Sequence, residues 1–297
     1  MQEKDKQKLI FLDIDGTIYK EMGVIPESAK TAIEKAKANG HKIFLSTGRS
    51  RAELPRNILD LEPDGFIASG GSYIEVNGEI IYNQYIGADT LKDIYQYLFD
   101  HKINFTIENN DYIFGTKEQL EEQRRIYEGN KNSYKERYEK LLDKSDFESE
   151  LVKVCEGIDH FINLLTIVED IHQVKDVNKI MFHKSEISME QIISDVGASV
   201  NIYPGSLDYL CRGNGEMYRK GITKATGVQK ILSYYGAEQK DTVAFGDGLN
   251  DVEMIQFVGV GVAMGNAVEK LKQTADLVTK ENDKNGLYYG FNVCDLI

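Results

Sequence analysis

The stretch KLIFLDIDGT, at residues 8–17, runs from an apolar segment into two aspartates that stand one residue apart. The apolar segment is typical of a strand buried on both faces, as in a parallel sheet. Residues i and i+2 of a strand share a face, so the carboxylates of Asp13 and Asp15 are expected to point the same way. Like charges this close raise the free energy of each other's ionisation. Two acids aimed at one spot therefore indicate a chemical site at the end of this strand.

Short strands and amphipathic helices alternate outward from this stretch. Helices are predicted at 26–40 and 223–236, and each ends at a glycine. Further strands are predicted at 41–46, 65–69, 241–247, 259–264 and 275–279. This alternation predicts an α/β fold whose core is a Rossmann-like open parallel sheet.

The middle of the chain has a different pattern. It begins with an amphipathic helix at 89–101 and a hairpin at 103–115, and residues 117–150 are densely charged and mostly helical. The other elements predicted there are strands at 161–168, 177–183, 199–203 and 207–211 and a helix at 188–196. We therefore expect an α+β cap domain, residues 85–216, inserted into a core made of residues 1–84 and 217–297.

Three polar motifs follow predicted strands of the core. They are DIDGT at 13–17, STGR at 46–49 and GDGLND at 246–251. In open α/β sheets the functional site lies outside the carboxyl ends of the strands. The three motifs are therefore expected to converge at one edge of the sheet.

The residue types of these motifs favour phosphate chemistry. The carboxylates make an oxygen-rich anionic pocket that suits Mg²⁺ together with a substrate phosphate. Thr47 offers a hydroxyl and a helix-start amide to an anion, and Lys224 lies in a first helical turn, where the helix dipole opposes a cation. Asp13 can attack phosphorus, while Asp15, if protonated, donates to the leaving oxygen and later acts as base toward water.

The motif set, with a lysine ahead of a helix as its third member, resembles the haloacid dehalogenase-like (HAD) superfamily. The large insert resembles the cap of the Cof-type subfamily (IIB). Members are mostly Mg²⁺-dependent phosphatases of sugar phosphates and other small phosphorylated metabolites. The resemblance implies a phosphoric monoester hydrolase that works through an aspartyl phosphate.

The resemblance also assigns a role to each matching position. It makes Asp13 the nucleophile and Asp15 the acid/base, with the main-chain carbonyl of Asp15 at the metal. The other implied site residues are Thr47, Gly48, Arg49, Lys224 and Asn250 for substrate binding, and Asp13, Asp247 and Asp251 for the metal.

Two positions depart from the subfamily pattern. Gly70 stands where an asparagine is usual, so the resemblance carries no substrate or loop contact over to this position. Lys224 precedes Ala225 rather than a glycine, which leaves Lys220 as a rival for the third motif; the helix start favours Lys224. Arg49 fits a helix-start surface residue as well as a phosphate contact.

The net charge and the distribution of apolar residues exclude some classes of binding partner. The 297 residues carry a formal net charge of −13, which argues against a nucleic-acid or anionic-membrane binder. No apolar run approaches the roughly 18 residues of a membrane span, and the polar start MQEKDKQK predicts no signal peptide. We expect a cytoplasmic protein that acts on a small phosphorylated metabolite, and the oligomeric state stays open.

Other functions share some of these motifs. A calcium loop also begins D-x-D, but Ile18 stands where its sixth-position glycine belongs. A dehalogenase needs one nucleophile, so Asp15 favours phosphate esters. A phosphomutase keeps every residue named above, and a non-catalytic sensor of a phosphorylated ligand is a third alternative.

Overall fold

The computed structural model describes residues 7–20, 23–121, 123–125, 128–129, 147–183, 185–205 and 213–297. The described strands are β1 (Leu9–Leu12), β2 (Lys42–Ser46), β3 (Gly65–Ala68), β4 (Tyr73–Val76), β5 (Glu79–Asn83), β6 (Asn104–Glu108), β7 (Ile113–Gly115), β8 (Leu165–Ile167), β9 (Lys179–His183), β10 (Val200–Pro204), β11 (Gly215–Arg219), β12 (Thr242–Gly246), β13 (Val260–Ala263) and β14 (Leu277–Val278). The described helices are α1 (Glu27–Ala38), α2 (Arg56–Leu59), α3 (Ala88–Asp100), α4 (Phe147–Leu164), α5 (Met189–Val196), α6 (Lys224–Tyr235), α7 (Val252–Phe257), α8 (Glu269–Thr274) and α9 (Gly286–Val293).

The large sheet contains eight of the described strands, in the order β14-β13-β12-β1-β2-β3-β4-β5. From β14 to β3 neighbouring strands are parallel, whereas β4 and β5 add an antiparallel edge. The predicted α/β fold with a Rossmann-like parallel sheet is confirmed. The antiparallel edge was not predicted.

Strand β1 lies at the centre of this sheet and is buried on both faces. Ile10 and Leu12 belong to a core that includes Phe291 of α9, while Leu9 and Phe11 belong to the opposite core. That second core is completed by apolar residues of α6, α7 and α8. Helices therefore cover both faces, which is the reason that β1 reads as a continuous apolar run.

The small sheet has the strand order β10-β11-β9-β6-β7-β8 and is antiparallel except for the β7–β8 pair. Its apolar face packs mainly on α3, with Ile94, Leu98 and Phe105 fully or almost fully buried there. Strand β11 pairs within this sheet as far as Arg219, beyond the predicted end of the insert at residue 216. The division of the chain into core and cap stays a prediction.

One predicted strand is wrong in part. Phe161 to Leu164 are the last turn of α4, and only Leu165–Ile167 form a strand. The apolar residues of this run are half-buried side chains at the end of an amphipathic helix, and a short apolar run of this kind resembles a strand in composition. The predicted strand at 207–211 and most of the charged region at 117–150 lie outside the described residues. Among the helices of the described ranges, none has the length and apolarity to cross a membrane.

Candidate active site

Three neighbouring strands bring the motifs to one edge of the large sheet. β1 pairs with β2 on one side and with β12 on the other, and all three run in the same direction. Asp13 follows β1, Thr47 follows β2 and Asp247 follows β12. The predicted convergence at the carboxyl ends of the strands is confirmed.

Lys224 joins this edge from the first turn of α6. Its Nζ lies 2.6 Å from Oδ1 of Asp13 and 2.6 Å from Oδ1 of Asp251, and its side chain is 1% exposed. Burial lowers the pKa of Lys224, but the two carboxylates outweigh it and raise the pKa above its ordinary value. Lys220 is exposed and donates to the carbonyl of Gly197. The structure therefore places Lys224, the residue favoured by the helix-start argument, at the acids.

Asp251 organises the loop after β12. Its Oδ2 accepts hydrogen bonds from the amides of Asp247 (3.1 Å) and Gly248 (2.9 Å), while its Oδ1 accepts from Lys224. Each oxygen of Asp251 is thus occupied by a donor of the protein. Asp247 is positioned from the other side by the hydroxyl of Thr17, which donates to its Oδ1 at 3.2 Å.

The carboxylates of Asp13, Asp247 and Asp251 form a compact acidic group. One oxygen from each lies within 4.8 Å of the others. Burial raises the pKa of Asp13, as do the charges of Asp251 and Asp247, against the opposing effect of Lys224. Burial and the charge of Asp251 raise the pKa of Asp247 to about 7. One ammonium therefore offsets the three acids only in part, and oxygen donors at this spacing fit a hard divalent cation.

Asp15 forms a two-pronged ion pair with Arg49. The guanidinium Nε and Nη2 each donate to one oxygen of Asp15 at 2.7 Å. Such a parallel pair is among the stronger and more directional charge-assisted contacts in proteins. Arg49 therefore contacts the proposed acid/base directly, which the sequence did not predict.

The expectation of a helix start at Thr47 and Arg49 is wrong. The amide of Thr47 donates to the Ile67 carbonyl at 2.8 Å and so continues the pairing of β2 with β3, and α2 begins only at Arg56. The Thr47 amide is therefore occupied by the sheet. Its hydroxyl oxygen accepts from the Arg49 amide at 3.1 Å, which leaves the hydroxyl hydrogen to donate elsewhere.

Gly48 and Gly70 line the same edge beneath Tyr218. A Cβ at Gly48 would lie 2.7 Å from the Tyr218 hydroxyl and 3.4 Å from Nδ2 of Asn250, so Asn250 lies beside the STGR loop as predicted. Gly70 has a φ of +60°, and a Cβ there would lie 3.3 Å from the Tyr218 ring. The ring of Tyr218 thus packs closely over the position at which the subfamily has asparagine.

Comparisons with known proteins agree with this fold and site. The profile of the haloacid dehalogenase-like hydrolase family matches residues 10–291. The chain is 30% identical over 292 residues, 98% of each chain, to a Bacillus subtilis (strain 168) protein named "Putative phosphatase YkrA". It is 28% identical over 296 residues, 95% of each chain, to 5-amino-6-(5-phospho-D-ribitylamino)uracil phosphatase YitU of the same organism.

A solved structure shows the same architecture. The HAD subclass IIB sugar phosphatase BT4131 superimposes with a TM-score of 0.75 at 25% identity, covering 98% of this chain and 100% of that one. The open sheet and its edge of acids define a hydrolase of the HAD class. The chain belongs to the haloacid dehalogenase-like hydrolases, in their Cof-type subfamily. It is a phosphoric monoester hydrolase.

Proposed function

We propose that this phosphatase hydrolyses a small phosphorylated metabolite, a sugar phosphate or a cofactor phosphate, with Mg²⁺ and through a phosphorylated Asp13. The observation that carries the proposal is the group of buried Asp13, Lys224 and Asp251 with half-buried Asp247, beside the Asp15–Arg49 pair. The substrate class is supported by YitU, named for a ribityl phosphate, and by BT4131, titled a sugar phosphatase. A cytoplasmic location stays a prediction.

The donor set assigns different roles to the three acids around the metal. Both oxygens of Asp251 accept hydrogen bonds from the protein, so Asp251 supports the site and holds Lys224. We propose the carboxylates of Asp13 and Asp247 and the main-chain carbonyl of Asp15 as the ligands. Mg²⁺, when bound, supplies positive charge that offsets the acids and the phosphoryl oxygens.

Asp13 is held for attack by Lys224. The ammonium binds Oδ1 at 2.6 Å, so Oδ2 is the oxygen that forms the new bond to phosphorus. The bond from phosphorus to the leaving oxygen breaks, and its electron pair stays on that oxygen. We propose that the Thr47 hydroxyl, the Gly48 backbone and Asn250 hold the phosphoryl group during this transfer.

Asp15 moves protons in both halves of the reaction. It protonates the leaving oxygen in the first step and takes a proton from water in the second, when water attacks the acyl phosphate and phosphate leaves. Both oxygens of Asp15 accept hydrogen bonds from Arg49, which is the arrangement expected when Asp15 acts as the base in the second step. To act as the acid, Asp15 has to carry a proton and turn one oxygen from Arg49 toward the substrate.

The choice of leaving group separates the two tasks of Asp15. An aryl phosphate leaves without a proton, so the Asp15→Asn variant is expected to transfer phosphate to Asp13 and then stall. Intact mass spectrometry of quenched protein measures the added phosphate. An alkyl phosphate, whose leaving oxygen needs the proton, is expected to give little phospho-enzyme.

The Asp13→Asn variant is the control, since it lacks the acceptor oxygen and is expected to gain no mass. A folded Asp15→Asn variant that gains no mass from the aryl phosphate would contradict the role given to Asp15. Return of phosphate from the wild-type phospho-enzyme to a second sugar hydroxyl, in place of release to water, would identify a phosphomutase. Absence of turnover across sugar, nucleotide and cofactor phosphates would favour a sensor.

A further inference from the structure

A second buried charge cluster lies between the small sheet and the loop after β2. Its centre is Lys179 of β9, whose side chain is 1% exposed. Lys179 Nζ lies 2.8 Å from Glu53, 3.1 Å from Glu108 and 3.7 Å from Glu216. Glu53 belongs to the loop after β2, whereas Glu108 and Glu216 belong to the small sheet. The two parts of the fold are therefore joined by one buried ammonium.

The cluster holds three carboxyl groups around one ammonium. Burial and the charge of Glu53 raise the pKa of Glu108 well above its usual value, against the opposing charge of Lys179, and this favours the protonated form of Glu108. Burial also raises the pKa of Glu53, but Lys179 and a hydrogen bond with Glu108 outweigh that effect and lower it to about 2. Glu53 therefore carries a negative charge and makes the shortest of the three contacts with Lys179.

Glu53 closes the turn that carries Arg49. The Glu53 oxygen that binds Lys179, Oε2, also accepts from the Ser50 amide at 2.8 Å. The Glu53 amide donates to the Ser50 carbonyl at 3.1 Å, and the Glu53 carbonyl accepts from the Arg49 guanidinium at 3.4 Å. The position of Arg49 is thus tied to the position of Glu53.

Tyr218 of β11 contacts the other end of the same loop. Its single hydroxyl hydrogen faces two acceptors, the Gly48 carbonyl oxygen at 3.1 Å and Oε2 of Glu216, whose other oxygen faces Lys179. The small sheet therefore contacts residues 48–53 at both ends. Arg49, between these two contacts, is the residue that binds both oxygens of Asp15.

We propose that Lys179 is a positioning residue for proton transfer: through Glu53 it fixes residues 48–53, so that Arg49 holds Asp15 beside the nucleophile. Lys179 is remote from the reacting atoms. It acts by linking the position of the small sheet to the position of the acid/base, Asp15. The inference rests on the proposed function, because it concerns the proton that Asp15 delivers.

The test compares kcat/KM for an aryl phosphate and for an alkyl phosphate. This constant reports the steps up to departure of the leaving group, and only the alkyl group needs a proton then. We expect the aryl-to-alkyl ratio to rise roughly tenfold in Lys179→Met and in Glu53→Gln, because a small displacement of a catalytic group costs this much or more. A purely structural loss lowers both constants together and leaves the ratio unchanged.

Asn178→Ser is the matched control. Asn178 precedes Lys179, is buried, and donates to the side chain of Asn83 and the carbonyl of Gln84, outside the loop that carries Arg49. This variant is expected to keep the wild-type ratio. If Lys179→Met does not fold, the aryl-to-alkyl ratio of Glu53→Gln tests the proposal. This variant keeps the buried Lys179 ammonium and its contacts with Glu108 and Glu216.

The Asp15→Asn variant separates the two hypotheses. If Asp15→Asn raises the ratio and folded Glu53→Gln does not, the positioning role is wrong and the proposed function stands. If Asp15→Asn leaves the ratio unchanged, the acid role proposed for Asp15 is wrong, and the positioning role with it.

Discussion

Lys224 is a buried lysine that is shared by the nucleophile and by the acid that organises the metal loop. Its ammonium lies 2.6 Å from each of the two carboxylates. Lys224→Ala is therefore expected to lower kcat by about 10²–10³-fold, the usual cost of removing a preorganised charge-assisted contact. Initial rates with a saturating alkyl phosphate measure this effect.

Lys220→Ala is the matched control for this prediction. Lys220 lies four positions earlier, is exposed and donates to the Gly197 carbonyl. Its loss is expected to change kcat less than twofold, since the described contact of Lys220 is with the Gly197 carbonyl and not with the acids. Reversal of the two variants would assign the third motif to Lys220.

Glu108 makes stability depend on pH. Its pKa is raised by burial and by the charge of Glu53, so the folded protein keeps a proton that the unfolded chain loses above a pH of about 4.5. The unfolded state then binds fewer protons, and stability falls as pH rises from there toward the folded pKa. Glu108→Gln keeps the neutral shape and is expected to remove this fall.

Urea unfolding at several pH values between 5 and 8 measures the effect. The stability of Glu108→Gln relative to wild type is expected to increase with pH until the folded pKa of Glu108 is reached. Glu53 does not interfere with this measurement. Its pKa is lowered to about 2, so its own pH-dependent contribution to stability changes only below pH 4.5. A constant difference between the two proteins would show that Glu108 is ionised in the folded state.

The loop after β1 is the element that sets the distance between the first and last motifs. Gly16 has a φ of +91°, and a Cβ there would lie 2.1 Å from Oδ2 of Asp247. Gly16→Ala is therefore expected to displace Asp247 and to reduce kcat by at least about tenfold, as misplacement of a catalytic group does. Steady-state rates and the Mg²⁺ concentration for half-maximal activity check this.

Gly40→Ala separates crowding from backbone strain. Gly40 has a φ of +88°, close to that of Gly16, but a Cβ there would have no atom within 4 Å. Both variants carry the left-handed backbone cost of roughly 1–2 kcal/mol, whereas only Gly16→Ala changes the metal loop. Equal activity losses in the two variants would mean that strain alone is responsible.

The elements that the sequence predicted well carry local signals. The central strands are uninterrupted apolar runs, and the catalytic motifs stand where those runs end, so their convergence follows from the rules of parallel sheets. β5 was missed because none of its residues is buried, so it has no alternating apolar pattern. The signal for the β4–β5 hairpin was the Asn77-Gly78 turn, with both residues at positive φ. The Glu53–Lys179 contact joins residues 126 positions apart, and its one local signal was a lysine inside the apolar strand "VNKIMFH".

The whole molecule is acidic, and its active site concentrates that charge. If Asp13 and Asp247 bind Mg²⁺ in the folded state alone, the ion stabilises the fold by about 2.7 kcal/mol at a concentration one hundred times its Kd. Thermal unfolding at pH 8 with and without Mg²⁺ is therefore expected to show a rise in Tm. Asp247→Asn is expected to lose most of this rise.

The metal-free comparison provides the control for that experiment. Without Mg²⁺ at pH 8, Asp247→Asn is expected to unfold at a higher temperature than wild type. The substitution removes a carboxylate whose pKa is raised to about 7 by burial and by the charge of Asp251, so its ionisation at pH 8 destabilises the metal-free fold. A rise in Tm with Mg²⁺ that is equal in both proteins would place the ion elsewhere.

The position of β1 between β2 and β12 affects how the chain folds during its synthesis. Leu9 pairs with Lys42 on one side and with Thr242 on the other. At ribosomal rates of about 5–20 residues per second, roughly 10–40 s pass between synthesis of Lys42 and synthesis of Thr242. During that interval the fully apolar strand β1 has an unpaired edge, a template for association with other chains. The enzyme is therefore expected to depend on chaperones while it is being translated, long before its catalytic residues meet.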